Sequence, residues 1–395
     1  MDRISTILIT GMTGCGKTAV IQKILKSLPV SARCAVCIHQ HARAFGLETN
    51  CPVPDDFDMD DPRLALYFEV YDFGSGCICC SPDGDLTRAL TKIGSEMEFQ
   101  RRIITHLVVE TTGIADPRPF SRLLSTNEDI IRHFRLDSVA VVLNTAPGGL
   151  PWKKSPKSEN LSKVWRTQIC NSEIAILHKL DLIDPSSLKD AIESECKEIS
   201  SINSNLRFVE DKVAGTLDWS NFSFENRISG CGQSCGTCND RNEWTEKLQL
   251  VTLSGHDQTF QTACVVESGG VILERFTAWL TALLDCEAAS AGTGGVWHVK
   301  GFFAVRWEQE PDAEAAAALA DVRTANAGLR MAVVSAYAGG PVRVWEVGAA
   351  RRRHAALGEF DGAYEGAVLE AGTCKLFFLG SVGAGPCPEQ LAVAA

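Results

Sequence analysis

The sequence predicts an α/β fold, a mostly parallel sheet covered by helices on both faces, followed by a smaller α+β domain. Three observations carry that expectation. The first half alternates short β-branched runs with helical stretches, as strands joined by crossover helices do. One strand-to-helix junction holds Gly11-Met12-Thr13-Gly14-Cys15-Gly16-Lys17-Thr18, a glycine-rich turn with lysine at the helix start. After the cysteine-rich stretch Ser229 to Asp240, the pattern changes to strands grouped around fewer helices.

The elements follow in order. Ile4 to Thr10 is apolar enough for a buried strand, and a helix is expected from about Lys17 to Leu28. Ala35 to His39, Leu107 to Glu110, Ser138 to Asn144 and Glu173 to His178 read as further strands. Asp55 to Asp61, acidic, and Gly148 to Ser162, rich in Pro, Lys and Ser, read as solvated loops. In the second half, strands are expected around Leu248 to Leu253, Phe302 to Trp307, Met331 to Ala336, Val342 to Val347 and Lys375 to Gly380. Helices are expected over Gly270 to Leu284 and the Ala-rich Pro311 to Ala327. The implied domains are residues 1–225, a junction at 226–245, a second domain at 246–382 and a tail at 383–395.

The chain has 395 residues, 45% hydrophobic and 22% charged, an ordinary globular balance. Its formal net charge of -11 argues against nonspecific contact with nucleic acid or anionic membranes. No apolar run is long enough to span a bilayer, and Met1 leads almost directly into a strand, so a cytoplasmic location is expected. Sixteen cysteines in a reducing compartment point to metal or reactive thiols where they cluster. Scattered ones such as Cys170, Cys196 and Cys286 read as small hydrophobes. Trp297, Trp307 and Trp345 read as core, and Arg351-Arg352-Arg353-His354 as a solvated turn.

The Gly-x4-Gly-Lys-Thr spacing is that of a phosphate loop, which places the first domain among phosphate-loop NTPases. Its glycines let backbone amides turn inward around phosphate oxygens, so Gly11, Thr13, Gly14, Cys15 and Gly16 are assigned to the nucleotide. Lys17 would reach the β/γ-phosphates, and the Thr18 hydroxyl would ligate Mg²⁺. Glu110 ends an apolar strand, where a carboxylate positions Mg²⁺ or the attacking water, and Gly113 closes that segment beside the nucleotide. Lys17, Thr18 and Glu110 form the expected catalytic set.

A second loop, His178-Lys179-Leu180-Asp181, follows an apolar strand. Many GTPases carry Asn-Lys-x-Asp there. The Asp accepts from guanine N1–H and the exocyclic amine, and the Lys stem covers the base, so Lys179 and Asp181 select guanine by leaving other bases unpaired. His178 replaces the Asn that ties this loop to the phosphate loop. That leaves the strictness of selecting GTP over ATP open.

Gly76-Cys77-Ile78-Cys79-Cys80 gathers three thiols between glycines and Pro82. Thiolates prefer Zn²⁺ or Cu(I) to Mg²⁺, and three ligands leave one position open for exchange. With the phosphate loop, Glu110-Thr111-Thr112-Gly113, Ala115-Asp116-Pro117 and the variant base loop, the chain resembles the CobW-like metallochaperone GTPases. Val299-Lys300-Gly301-Phe302 and Leu376-Phe377-Phe378-Leu379-Gly380 resemble the two ends of that family's C-terminal domain. The resemblance implies Zn²⁺ held by Cys77, Cys79 and Cys80, GTP hydrolysis coupled to metal delivery, and a client metalloprotein as partner. Co²⁺ or Fe²⁺ for a cobalamin-pathway or nitrile hydratase-type enzyme is the first alternative. A non-hydrolysing metal-binding regulator is the second, and a homodimer is an open option for assembly.

Two departures stand out. Where the family has Asn-Glu-Phe-Gly-Glu, this chain has His39-Gln40-His41-Ala42-Arg43, and strand alternation would put Cys37, His39 and His41 on one face, either as substitute ligands or as a loop edge over a buried Cys. Asn144-Thr145 replaces an acidic residue. A second cluster, Cys231, Cys235 and Cys238, has metal-compatible spacing, with His256 or Cys264 as a candidate fourth ligand. That spacing also occurs in radical SAM enzymes, which its place between domains argues against.

Overall fold

The computed structural model describes residues 3–41, 63–72, 85–98, 103–146, 159–212, 217–222, 260–268, 270–289, 296–306, 330–337, 343–346 and 373–381. They divide between two compact units, each built on its own sheet.

In the first unit the chain runs β1 (Ile4–Thr10), α1 (Lys17–Ser27), β2 (Cys34–His41), β3 (Leu64–Asp72), α2 (Asp85–Glu98), β4 (His106–Glu110), α3 (Arg118–Thr126), α4 (Glu128–Ile131), β5 (Phe134–Asn144), α5 (Glu159–Cys170), β6 (Ile174–His178), α6 (Leu188–Ile202) and β7 (Arg207–Glu210). The strands lie in the order β3-β2-β4-β1-β5-β6-β7, and every pairing is parallel. The α/β fold expected from the alternation is therefore the one formed. Strand order reverses direction around β1, so the loops after β1, β4 and β6 meet at the carboxyl end, where such sheets bind ligands.

Both faces of the sheet are covered. Leu8, Cys37, Leu107 and Val109 pack with Leu90, Phe120 and Leu124 on one side. Ile7, Ile9, Val36 and Val108 pack with Val20, Ile21 and Ile24 of α1 on the other. Burial on both faces explains why these strands read as continuous apolar runs. Strand β3, whose alternating Leu64, Leu66, Phe68 and Val70 follow the acidic run read as a loop, is not among the expected strands. Its pairing to β2, from Cys34↔Leu64 to His41↔Asp72, is a long-range event with little local signature.

The second unit comprises β8 (Phe260–Ser268), β9 (Gly270–Ile272), α7 (Leu273–Ala289), β10 (Val296–Arg306), β11 (Arg330–Tyr337), β12 (Arg343–Glu346) and β13 (Thr373–Ser381). Its sheet has the order β12-β11-β10-β13-β8, antiparallel throughout, with β9 added parallel to β10. Phe276, Leu280 and Leu284 form the buried stripe of α7. The helix expected from Gly270 begins at Leu273 instead, because Gly270, Val271 and Ile272 pair with Ala304, Val305 and Arg306. Glycine and β-branched residues favour that extended start. The strand expected from Phe302 begins earlier, at Val296. The stretches 55–61, 226–245, 248–253, 311–327 and 383–395 lie outside the described residues. Among the described residues no helix is long and apolar enough to cross a membrane.

Candidate functional site

The site starts with three glycines. Gly11, Gly14 and Gly16 take φ of 139°, 77° and 103°, values that an L side chain rarely adopts. Space forbids side chains too. A Cβ on Gly11 would lie 2.6 Å from Val142 O, and one on Gly16 2.2 Å from His178 Cδ2. Gly16 caps α1, whose first turn has no acidic residue of its own, and the free N–H groups there form the positive end of the helix dipole.

Lys17 is buried, and its Nζ donates to Gly11 O at 3.0 Å and Met12 O at 3.4 Å. The ammonium thus sits inside the loop on carbonyls that an anionic oxygen can replace. Thr18 Oγ1 donates to Glu110, 3.2 Å from Oε2 and 3.4 Å from Oε1. Burial pushes the Glu110 carboxyl above its ordinary range, and Lys17 and the Thr18 hydroxyl partly oppose that push. A hydroxyl and a buried carboxylate this close are hard oxygen donors of the kind Mg²⁺ takes. The residues present therefore fit the ion expected beside triphosphate. Behind them, Cys15 is buried, and desolvation raises its thiol above the usual range, which marks it as core.

The segment after β4 touches the phosphate loop directly. A Cβ on Gly113 would lie 2.0 Å from Thr13 Oγ1 and 2.2 Å from Thr13 N. Only glycine can hold this backbone against that loop. Asp116 Oδ1 accepts from Arg118 N at 2.9 Å and pairs with the Arg118 guanidinium, fixing the entry into α3.

His178 stands where many GTPases have the Asn that ties this loop to the phosphate loop, and here two contacts join the loops. Lys179, in left-handed conformation at φ 64°, donates from Nζ to Gly14 O at 2.6 Å. The His178 ring lies against Gly16. Asp211, buried just after β7, hydrogen-bonds His178 Nδ1, and its other oxygen accepts from Lys23 Nζ of α1 at 2.6 Å. His178 O in turn accepts from Thr145 N at 3.1 Å and Thr145 Oγ1 at 2.7 Å. Asp181 opens into solvent from a single 3₁₀ turn, Leu180–Leu182. Lys23, Thr145 and Asp211 brace this loop without having been expected to from the sequence. Asp211 has no motif, and only the β6–β7 register, Leu177↔Glu210, brings it beside His178.

Cys77, Cys79 and Cys80 lie outside the described residues, as do Cys231, Cys235, Cys238 and His256. Cys37 and His39 share one face of β2. Cys37 belongs to the core, its thiol pushed up to about 12 by burial, and His39 packs against Phe120 with ring centroids 5.1 Å apart. Among the described residues no group of three His, Cys, Asp or Glu side chains could hold a metal ion.

The family model for the CobW/HypB/UreG nucleotide-binding domain matches residues 5–210. Zinc-regulated GTPase metalloprotein activator 1 of Schizosaccharomyces pombe is 25% identical over 300 residues, covering 71% of this chain and 66% of its own. Zinc chaperone YjiA of Escherichia coli is 26% identical over 145 residues, 36% of this chain and 41% of its own. Zinc chaperone CobW of Sinorhizobium sp. is 25% identical over 221 residues, 50% of this chain and 57% of its own. The matches thus span between 41% and 66% of the length of these curated relatives.

Proposed function

The chain belongs to the CobW/HypB/UreG family, and from that premise we propose that it is a GTPase that binds Zn²⁺ through Cys77, Cys79 and Cys80 and passes it to a client metalloprotein in the cytoplasm. The observation that carries the reading is the junction of loops at one sheet end. Lys17, Thr18 and Glu110 converge there, Gly113 abuts Thr13, and Lys179 bonds Gly14.

In this reading Lys17 exchanges its carbonyl partners for the β- and γ-phosphate oxygens, and the amides of residues 13–18 surround the phosphates. Thr18 and Glu110 would hold Mg²⁺, which supplies charge neutralisation on the phosphates. The raised Glu110 carboxyl ionises more readily as a cation approaches. Asp181 would accept from guanine, on a loop braced by Asp211 and Lys23.

Two facts support thiols as carriers of the cargo. The relatives just named are zinc chaperones and a zinc-regulated activator. Cys77 follows Asp72, the last residue of β3, by only five positions. From Asp72 to Glu110 is two strand spacings and three residues of rise, roughly 14 Å, and five extended residues span up to roughly 17 Å.

The test is Zn²⁺ titration of the full chain in apo, GTP-analogue and GDP states, with GTP turnover read in parallel. The expected result is a nucleotide-dependent Zn²⁺ affinity that a Cys77/Cys79/Cys80→Ser variant lacks. Equal affinity in all three states would remove the coupling. Absence of turnover with Mg²⁺ and Zn²⁺ would favour the non-hydrolysing regulator, and Co or Fe in protein isolated from its native host would favour the insertase.

A further inference from the structure

Gln168 is completely buried on α5, and it belongs to no sequence motif. Its Nε2 donates to Gly113 O at 3.2 Å and to Ala115 O at 3.1 Å, both in the segment after Glu110. Its Oε1 is buried without a hydrogen-bond partner among the described residues. An unpaired buried acceptor costs on the order of 1–3 kcal/mol. Rotating the amide would not relieve this, since Oε1 would then face two carbonyl oxygens. The amide is therefore held in one orientation by the segment and keeps an acceptor in reserve.

The same segment abuts the phosphate loop, with Gly113 against Thr13. A shift of Gly113 relative to Thr13 therefore also displaces the carbonyl that Gln168 holds. Segments in this position reorder when a γ-phosphate is gained or lost. Reordering of residues 113–115 would break the two carbonyl contacts and leave Nε2 unpaired beside Oε1, so the Gln168 contacts favour the arrangement in which the segment is docked. Such a contact, made in one nucleotide state and broken in the other, is what a switch requires.

We propose that Gln168 is a positioning residue for GTP hydrolysis, a latch that holds residues 113–115 against the phosphate loop and transmits the nucleotide state to α5. It touches neither nucleotide nor metal in this role, and it rests on the GTPase reading above.

Gln168→Glu keeps the shape but sets a carboxylate against two carbonyls, and Gln168→Met removes both donors at similar volume. In the full chain with Mg²⁺, both variants should lower kcat about tenfold, with GDP affinity held within about twofold. The ratio of GTP-analogue to GDP affinity should shift about fivefold, the readout that a purely structural brace would leave alone. Folded variants with kcat and affinity ratio within about twofold of wild type would overturn the latch. Should both variants fail to fold, hydrogen exchange on wild type decides. Residues 111–116 and 159–170 should differ in protection between GTP-analogue and GDP states, and identical protection overturns the proposal. A wild type without GTP turnover would instead overturn the GTPase reading itself, and the latch with it.

Discussion

The two ends of the seven-stranded sheet both bury polar side chains, and they differ in what their lysines and arginines face. At the amino end the side chains pair with one another. Asp137 is fully buried and accepts from Ser5 Oγ and from Arg135 Nε, the latter at 2.6 Å. Trp219 donates to Ser5 Oγ at 3.1 Å and meets the His106 ring edge-on, and His106 Nδ1 lies 2.6 Å from Thr105 Oγ1. At the carboxyl end side chains pair as well, Thr18 with Glu110 and both His178 and Lys23 with Asp211, but Lys17 and Lys179 donate to backbone carbonyls of a glycine loop. A carboxylate matched to a guanidinium and a hydroxyl has no reason to change partners. An ammonium on a carbonyl does, once phosphate arrives with full negative charge. The comparison teaches that buried polarity marks a working site when the donors face exchangeable partners, and a clamp when they face each other.

The largest test of that distinction is Lys17→Ala. GTP turnover should fall by about 10²–10³-fold, the usual effect of losing one preorganised donor, while the melting temperature barely moves. Next, Asp137→Ala should cost roughly 3 kcal/mol of stability in denaturant unfolding, because charge-assisted hydrogen bonds from Ser5 and Arg135 disappear. Nucleotide affinity should be unchanged, and a loss comparable to that of Lys17→Ala would break the comparison. Trp219→Phe removes one donor at the same end and should cost about 1 kcal/mol with no effect on turnover.

The smallest effects lie in pH dependence, and the two ends should respond with opposite signs. Burial raises the Glu110 carboxyl, so the folded state holds that proton longer than the unfolded state does. Its contribution to stability is full at acid pH and is lost as pH climbs from the ordinary carboxylate range through the raised value. Glu110→Gln should therefore raise the melting temperature above that range and lose this advantage below it, while impairing turnover throughout. Burial lowers His106, although Asp137 opposes the shift. The unfolded state then takes up the proton first, and stability falls as pH drops below the ordinary imidazole value. His106→Gln should flatten that acid limb. Melting curves of wild type and both variants across pH check the two signs together.

Much of this site was legible before any coordinates. The Gly-x4-Gly-Lys-Thr spacing between an apolar strand and a helix demanded a tight phosphate loop, and Gly11, Gly14 and Gly16 take the positive φ that such a loop needs. Glu110 was legible as a strand-end acid, and its contact with Thr18 follows from β1 and β4 being neighbours. Gln168 and Asp211 were not legible. Gln168 stands 55 positions from Gly113 and Asp211 33 positions from His178, and neither pair shares a local pattern. The base loop shows the limit most clearly. His178 in place of Asn gave no hint of how this loop is held, whereas the structure joins it to the phosphate loop through Lys179 and the packing of His178 on Gly16.

Local sequence thus settled part of the backbone: the strand–loop–helix of the phosphate loop, the glycines it had to hold, and the side chains that emerge at the carboxyl ends of β4 and β6. Steric limits on φ and ψ and the burial of apolar runs act over a few residues, so they can be read directly from the chain. Folding in three dimensions decided which of those side chains meet. Parallel strands are joined by long crossovers, and register and crossover packing, invisible to any short stretch, bring Asp211 to His178 and Gln168 to Gly113.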